Sequence, residues 1–369
     1  MSILDHHQGT LVRFEQENRL RRLAPRTGLD FSSNDYLGLA NAPELRTAVR
    51  EAIDRGVAIG AGGSRLLRGN DPEHEALEAE AASFFGSKSA LFFANGFAAN
   101  STLFAALPDR HDLIVHDALI HASVHDGMRL SFAAKQATAH NEAQSVEDAI
   151  TGWRAKGGKG RAWIAVESLY SMDGDCAPIA ALAEIADRHD AFLVIDEAHA
   201  AGVFGSENRG FAAGLAGRDN VIRLVTCGKA LGCEGALVLA SNVITDMLIN
   251  TGRSFIFSTA PSPLMAAAVR AALKLIRLPE RRERLHRLIG IAGERLGATS
   301  GSQIIPFVIG DDAETMRIAG ALQAVGFDVR GIRPPTVPKG TSRLRISITL
   351  NVGEGDIGAL GDKLRELKP

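Results

Sequence analysis

The chain has 369 residues and a formal charge of −2, from 41 Lys and Arg against 43 Asp and Glu. Hydrophobic residues make up 46% and charged residues 23%, which excludes a mainly disordered chain and leaves ample material for a buried core. The balanced charge argues against a protein held to nucleic acid by a broad basic surface, and the length suggests a large and a small domain.

Met1 to Arg26 is polar and charged, with no apolar core of the signal-peptide kind. Leu11 to Leu23 is amphipathic, as in a transit segment, but its Glu15 and Glu17 argue against that. No run approaches about 18 apolar residues, so a cytoplasmic protein without a membrane span is expected. The three cysteines, Cys176, Cys227 and Cys233, read as reduced thiols, since an odd and sparse set makes no disulfide framework. The first 30 residues read as a basic helical arm ending near Pro25. A loop-rich stretch follows from Phe31 to Leu39. Asp71-Pro72 has the form of an N-cap with proline at the first helical position. Behind it, Leu77, Ala81, Phe84 and Phe85 share one helical face.

From about residue 88 to 240, short apolar runs recur at Ala90–Ala94, Leu113–His116, Ala162–Val166, Phe192–Ile195, Ile222–Thr226 and Ala236–Ala240. Most are separated by helix-length segments, the pattern of a mostly parallel sheet covered on both faces. The last hundred residues change character. Leu285, Leu288, Ile289, Ala292 and Leu296 mark an amphipathic helix, and Gln303–Ile309 reads as a strand. Leu344, Ile346, Ile348 and Leu350 alternate with Arg343, Arg345, Ser347 and Thr349, as in a half-buried strand. Asp356–Leu367 closes as a helix. The expected organisation is an arm over 1–33, a large α/β domain over 34–268 and a small α+β domain over 269–369.

Ligands of open α/β sheets sit beyond the carboxyl ends of the strands, so the residues just past each apolar run are the first candidates. Asn95-Gly96-Phe97 opens a helix after the first run and suits a phosphate. Asp196 ends the fourth run, with His199 three residues on. Cys227-Gly228-Lys229 comes after the fifth. A lysine among glycine and small apolar residues is placed to act as a carbonyl nucleophile. Separately each has an ordinary structural explanation. Together they match the needs of pyridoxal phosphate: a phosphate cradle, an acid for the pyridine nitrogen and a lysine for the Schiff base. His121 and His125, with His111 and His116, have no Cys or paired acid nearby, so no metal is expected. The Gly60–Ser64 loop lacks the Lys-Ser/Thr ending of a P-loop.

Seven segments resemble the α-oxoamine synthases, pyridoxal-phosphate enzymes of fold type I that condense an amino acid with an acyl thioester and release CO2. They are Phe31-Ser-Ser-Asn-Asp-Tyr-Leu-Gly-Leu39, Gly60-Ala-Gly-Gly-Ser-Arg65, Asn95-Gly-Phe-Ala-Ala-Asn100, Ser171-Met-Asp-Gly-Asp175, Asp196-Glu-Ala-His199, Gly228-Lys-Ala-Leu-Gly232 and Ile332-Arg-Pro-Pro-Thr-Val-Pro338. The likeness runs in order over nearly the whole chain. Ser64 and the Arg-Pro-Pro-Thr-Val-Pro run favour a member that joins L-alanine to a pimeloyl thioester.

The resemblance implies a role for each matching residue. Lys229 would hold the cofactor and move the Cα proton. Asp196 would pair with the pyridine N–H, His199 would bond the phenolic oxygen, and His121 would stack on the ring. Gly96, Phe97, Ser171 and Thr226 would lie near the ring or phosphate. Thr259, with Ser258, would reach the phosphate from a second subunit, making the protein a homodimer with shared sites. Arg345 would bind the amino-acid carboxylate, and Arg21, Asn34 and Ser64 would line the substrate side. Arg68 and Glu234 depart from the family pattern and leave the acyl donor and its carrier open, coenzyme A or acyl carrier protein. Two other readings stay open: a family member using glycine or another acyl-CoA, and a non-catalytic regulator of the same fold.

Overall fold

The computed structural model describes residues 2–17, 19–23 and 25–367. Asn34–Arg287 forms one compact unit, and the described residues of Met1–Ser33 and Leu288–Pro369 form a second.

The first unit is built on seven strands: β1 (Ser89–Phe93), β2 (Leu113–Asp117), β3 (Ala134–Thr138), β4 (Ala162–Glu167), β5 (Phe192–Asp196), β6 (Val221–Thr226) and β7 (Ala236–Ala240). Their order is β1-β7-β6-β5-β4-β2-β3. β7 runs antiparallel to both neighbours, and the other pairings are parallel. Six strands coincide with the apolar runs. β3 is not among them, because Ala-Lys-Gln-Ala-Thr is an exposed edge and has no apolar run to show.

Successive residues of one strand feed opposite cores. Ile114, Val194, Ile222 and Leu224 pack on one face with Leu103, Val124 and Leu248 from helices. Leu113, Val115, Leu193 and Ile195 pack on the other with Ile150, Leu182 and Ile185. That double coverage is why these strands read as unbroken apolar runs. The helix Pro72–Phe85 starts as expected: Asp71 accepts the Glu73 N–H at 2.9 Å, and His74 completes a capping box. Leu77, Ala81, Phe84 and Phe85 are all buried.

The second unit holds a three-stranded antiparallel sheet of β8 (Ile304–Gly310), β9 (Arg330–Ile332) and β10 (Ser342–Ser347), in the order β9-β10-β8. Two expectations fail here. β10 is buried along its full length, Arg343 and Arg345 included, so its polar face is not the solvated side of a half-buried strand. The arm helix spans only Asp5–Gln16, because the Arg19 and Leu20 N–H groups turn back to the Phe14 carbonyl. Asn18 and Ala24, within the expected helix, lie outside the described residues. Beyond the arm, Leu29–Asp30 pairs in parallel with Phe327–Asp328, tying the start of the chain to its last third. The helix Asp312–Ala324, capped by Asp311 on the Glu314 N–H at 2.8 Å, is an addition to the expected elements.

Among the described residues, no helix is long and apolar enough to cross a membrane.

Candidate active site

At the carboxyl ends of β4, β5 and β6 the first unit encloses a cavity of about 520 Å³. Lys229, Asp196, His199, His121 and Thr226 line it, with Asn34, Gly96 and Phe97. The parallel strands gather these side chains because each strand ends, and its connection begins, at the same edge of the sheet.

Asp196 is the last residue of β5 and is nearly buried. Asn100 Nδ2 donates to its Oδ2 at 2.8 Å, and the Ala198 N–H to its Oδ1 at 2.9 Å. Asn100 Nδ2 also donates to Ser123 Oγ at 3.0 Å, and Ser123 Oγ lies 2.7 Å from His121 Nδ1. One hydrogen-bonded chain therefore links Asp196 to His121. With Asn100 donating to the hydroxyl, Ser123 has its own proton for His121 Nδ1, which accepts. His121 caps the helix Ala122–Leu130. Surrounding protein atoms push its pKa below the usual imidazole value although part of the ring meets solvent. The Asp196 carboxylate opposes that push, and Lys229 adds to it.

His199 is buried and faces Tyr36, with Nδ1 2.6 Å from the phenol oxygen. The phenol donates to Asn34 Oδ1 at 3.0 Å, so His199 Nδ1–H donates to the phenol. The Tyr36 contact engages Nδ1 and sets the orientation of the ring.

Asn95 caps the helix Gly96–Ala106 by accepting the Ala98 N–H at 2.8 Å. The N–H groups of Gly96 and Phe97 lie ahead of the first intrahelical bond, where the helix dipole is positive. A Cβ on Gly96 would meet the Thr226 methyl at 2.6 Å, so only glycine lets this helix start approach the end of β6. Gly232, at φ +64°, turns the lysine loop back against Leu39 and Ala40.

Of the other expected residues, Ser171, Thr259 and Ser64 are not among the residues lining the cavity. Ser171 donates its N–H to Glu167 Oε2 at 3.2 Å. Thr259 is exposed. Ser64 uses its carbonyl to accept the Leu67 and Gly69 N–H groups. Arg345 lies on β10, its guanidinium donating to Ser347 Oγ at 2.8 Å. Arg21 belongs to the second unit and lines a separate cavity of about 250 Å³ with Phe14, Arg19, Arg333 and Pro335.

Sequence reasoning missed Glu167, Asn100 and Tyr36. Glu167 ends β4 in register with Asp196, and the rule applied to the other strands would have found it. Burial first, then Asp196, pushes its carboxyl well above the usual range, with Lys229 opposing. Asn100 and Tyr36 lie inside quoted segments but carried no visible signal, because each acts through a neighbour.

The cavity suits pyridoxal phosphate. It offers a lysine for the aldehyde, a strand-end acid for the pyridine nitrogen and a helix start for the phosphate. Thr226 Oγ1 is buried there with no hydrogen-bond partner among the described residues. An orphaned buried hydroxyl at the helix start is accounted for by a ligand oxygen.

This fold and site define a pyridoxal-phosphate enzyme of fold type I, and the chain belongs to the aminotransferase class I and II family, whose model matches residues 26–359. More particularly, it is 41% identical to an 8-amino-7-oxononanoate synthase of Chromobacterium violaceum, over 95% of this chain and 96% of that protein. The crystal structure of an 8-amino-7-oxononanoate synthase from Francisella tularensis superposes with a TM-score of 0.76 at 27% identity, covering 92% of this chain and 96% of that one. A serine palmitoyltransferase of Sphingomonas wittichii shares the fold, with a TM-score of 0.89 at 24% identity over 100% of this chain and 98% of that one.

Proposed function

We propose that the chain condenses L-alanine with a pimeloyl thioester, releasing CO2 and the free thiol and forming 8-amino-7-oxononanoate, a step of biotin synthesis in the cytoplasm. The observation that carries this reading is the convergence of Lys229, Asp196 and His199 in one cavity of a chain so similar to 8-amino-7-oxononanoate synthases.

When bound, the cofactor supplies an electron sink for the bonds broken at the alanine Cα. Lys229 would hold it, and would take the Cα proton and later return it. Asp196, fixed by Asn100 and the Ala198 N–H, accepts the pyridine N–H and keeps that nitrogen protonated. His199, oriented by Tyr36, would bond the phenolic oxygen, and Ser171 would lie near the ring or phosphate. His121, held neutral, covers one ring face. Gly96, Phe97 and Thr226 hold the phosphate, with Thr259 supplied by a second copy of the chain. Arg345 grips the alanine carboxylate, and Asn34 and Ser64 line the alanine side. Arg21, with Arg19 and Arg333, suits an anionic part of the acyl donor. The cofactor domain is 34–268, with a C-terminal domain after it over 269–369.

The test is product mass and thiol release with alanine or glycine against pimeloyl thioesters of coenzyme A and acyl carrier protein. Alanine with a pimeloyl donor is expected to be fastest. A preference for glycine or for a different acyl chain overturns the substrate assignment. Mixing Lys229→Ala with Thr259→Ala subunits tests the shared site. In the heterodimer both lesions then fall on one site, leaving the other intact. Activity that tracks the Thr259 of the Lys229-bearing subunit contradicts it.

A further inference from the structure

A second polar cluster of the Asn34–Arg287 unit is not used by the chemistry above. His140 lies just past β3, and both of its ring nitrogens face carboxylates. Nδ1 lies 2.8 Å from Asp117 Oδ1, and Nε2 lies 2.8 Å from Asp175 Oδ2. A neutral imidazole carries one N–H and would turn a lone pair on one of these oxygens. Only the imidazolium donates to both. Asn141 repeats the span from a left-handed backbone, φ 57°. Its N–H donates to Asp117 Oδ2 at 2.8 Å and its Nδ2 to Asp175 Oδ2 at 2.7 Å. The edge of His140 meets the Tyr170 ring at 4.5 Å and 83°.

The two acids root two loops. Asp117 ends β2 and is buried. Its Oδ1 accepts the Leu119 N–H at 2.8 Å, shaping the turn that runs into His121. Asp175 closes the loop that starts at Tyr170. The Tyr170 N–H donates to the Asp175 carbonyl, and the Gly174 N–H to the Tyr170 carbonyl, each at 2.9 Å. Ser171 lies inside that loop.

We propose that His140 is a positioning residue for the reaction: as an imidazolium clamped between Asp117 and Asp175, it fixes the loop that delivers His121 against the loop that holds Ser171. This rests on the roles given to His121 and Ser171 under the proposed function. Burial alone lowers the His140 pKa, but the bonds to Asp117 and Asp175 outweigh it and hold the pKa above the ordinary imidazole value. The groups that face the ring are these two carboxylates, the Tyr170 phenol and the Asn141 amide. The clamp is therefore closed below the raised pKa and opens as pH rises through it.

The experiment tracks 15N-labelled histidine resonances of the holoenzyme against pH, beside the pH profile of kcat and the visible circular dichroism of the bound cofactor. His140 is expected to carry protons on both nitrogens at neutral pH. The alkaline fall in kcat should parallel its titration. His140→Gln should lower kcat by about 10- to 100-fold, the scale of a misplaced catalytic group, with little change in the KM for alanine. It should also weaken the visible dichroism and abolish that alkaline limb. If this variant does not fold, Asp175→Ala removes one arm of the clamp on a partly exposed side chain and is read the same way. A neutral His140 at neutral pH, or a glutamine variant with unchanged kcat and pH profile, overturns the clamp. In parallel, His121→Ala that keeps full activity overturns the site reading on which the clamp rests. Lost activity in His121→Ala beside an indifferent His140→Gln overturns the clamp alone.

Discussion

The two sheets of this molecule carry polar chemistry in different ways. In the seven-stranded sheet the ionisable groups of the cavity stand at strand ends: Glu167 and Asp196 close β4 and β5, and Lys229 comes just after β6. In the three-stranded sheet Arg343 and Arg345 sit in mid-strand on β10, one residue apart from Leu344 and Ile346. Both faces of the seven-stranded sheet are packed with apolar side chains, so polar chemistry collects where its strands end. An antiparallel strand offers every second residue along its length to one face. The first arrangement can be found by inspecting the residues at the end of each apolar run. The second needs the alternation, and alternation identifies a face without saying whether it is covered.

Lys229→Ala puts the largest strain on this contrast. The variant should lose the visible absorbance that borohydride reduction removes from the wild type, and turnover should fall by roughly 10²–10⁴-fold, the range for a lost acid–base group. Stability without cofactor should barely change, since the lysine lines a cavity and builds no core. Absorbance and steady-state rates check it. A variant that turns over normally would refute the placing of the chemistry at the end of β6.

How legible the molecule is from its sequence depends on the same division. Buried parallel strands announce themselves, because both faces of β2, β4 and β6 need apolar side chains. The edge strand β3 stays silent for want of that demand. Lys229, Asp196 and His199 stand out because a charge beside an apolar run is unusual. Asn100 and Tyr36 do not, because a neutral polar residue becomes functional only through partners that folding brings in, Asp196 for one and His199 for the other. His140 is hidden for the same reason, since its two acids lie 23 and 35 positions away. Cys227, beside the lysine, is buried, and burial pushes its thiol well above the usual range, in keeping with a packing residue.

The mid-strand arginine should show a smaller effect. A guanidinium grips a carboxylate with two parallel hydrogen bonds, and losing a charged bond of this kind costs about 1.5–3 kcal/mol. Arg345→Ala should therefore weaken alanine binding by roughly 10- to 100-fold. Arg345→Lys should recover only part of that, because a point charge does not fix the carboxylate plane. Spectral titration of the holoenzyme with alanine measures both. Unchanged affinity in the alanine variant would strip the mid-strand position of a substrate role and leave Arg345 as a buried structural cation.

The smallest effect separates a carboxylate that builds the fold from one that serves the site. Asp71 and Asp196 are both acids at the junction of one element and the next, and either reads from sequence as a helix cap. Each accepts the backbone N–H two residues on, but Asp71 alone of the two heads a helix. It accepts the Glu73 N–H at 2.9 Å, ahead of Pro72, while the His74 ring takes the Asp71 N–H at 3.2 Å. Asp196 spends its second oxygen on Asn100, a side chain on another element, and lines the cavity. Removing a cap costs about 1 kcal/mol, through one backbone N–H of the first turn left without its partner. Asp71→Ala should lower the unfolding free energy by about that amount and leave cofactor absorbance and alanine binding unchanged. Asp71→Asn, whose side-chain oxygen still accepts, should restore most of the loss. Asp196→Asn should do the reverse, altering the absorbance of the bound cofactor with little effect on unfolding of the cofactor-free protein. Denaturant unfolding and absorbance on the same three variants decide it. If Asp71→Ala disturbs the cofactor as strongly as Asp196→Asn does, position at a strand end is not what distinguishes the acid of the site.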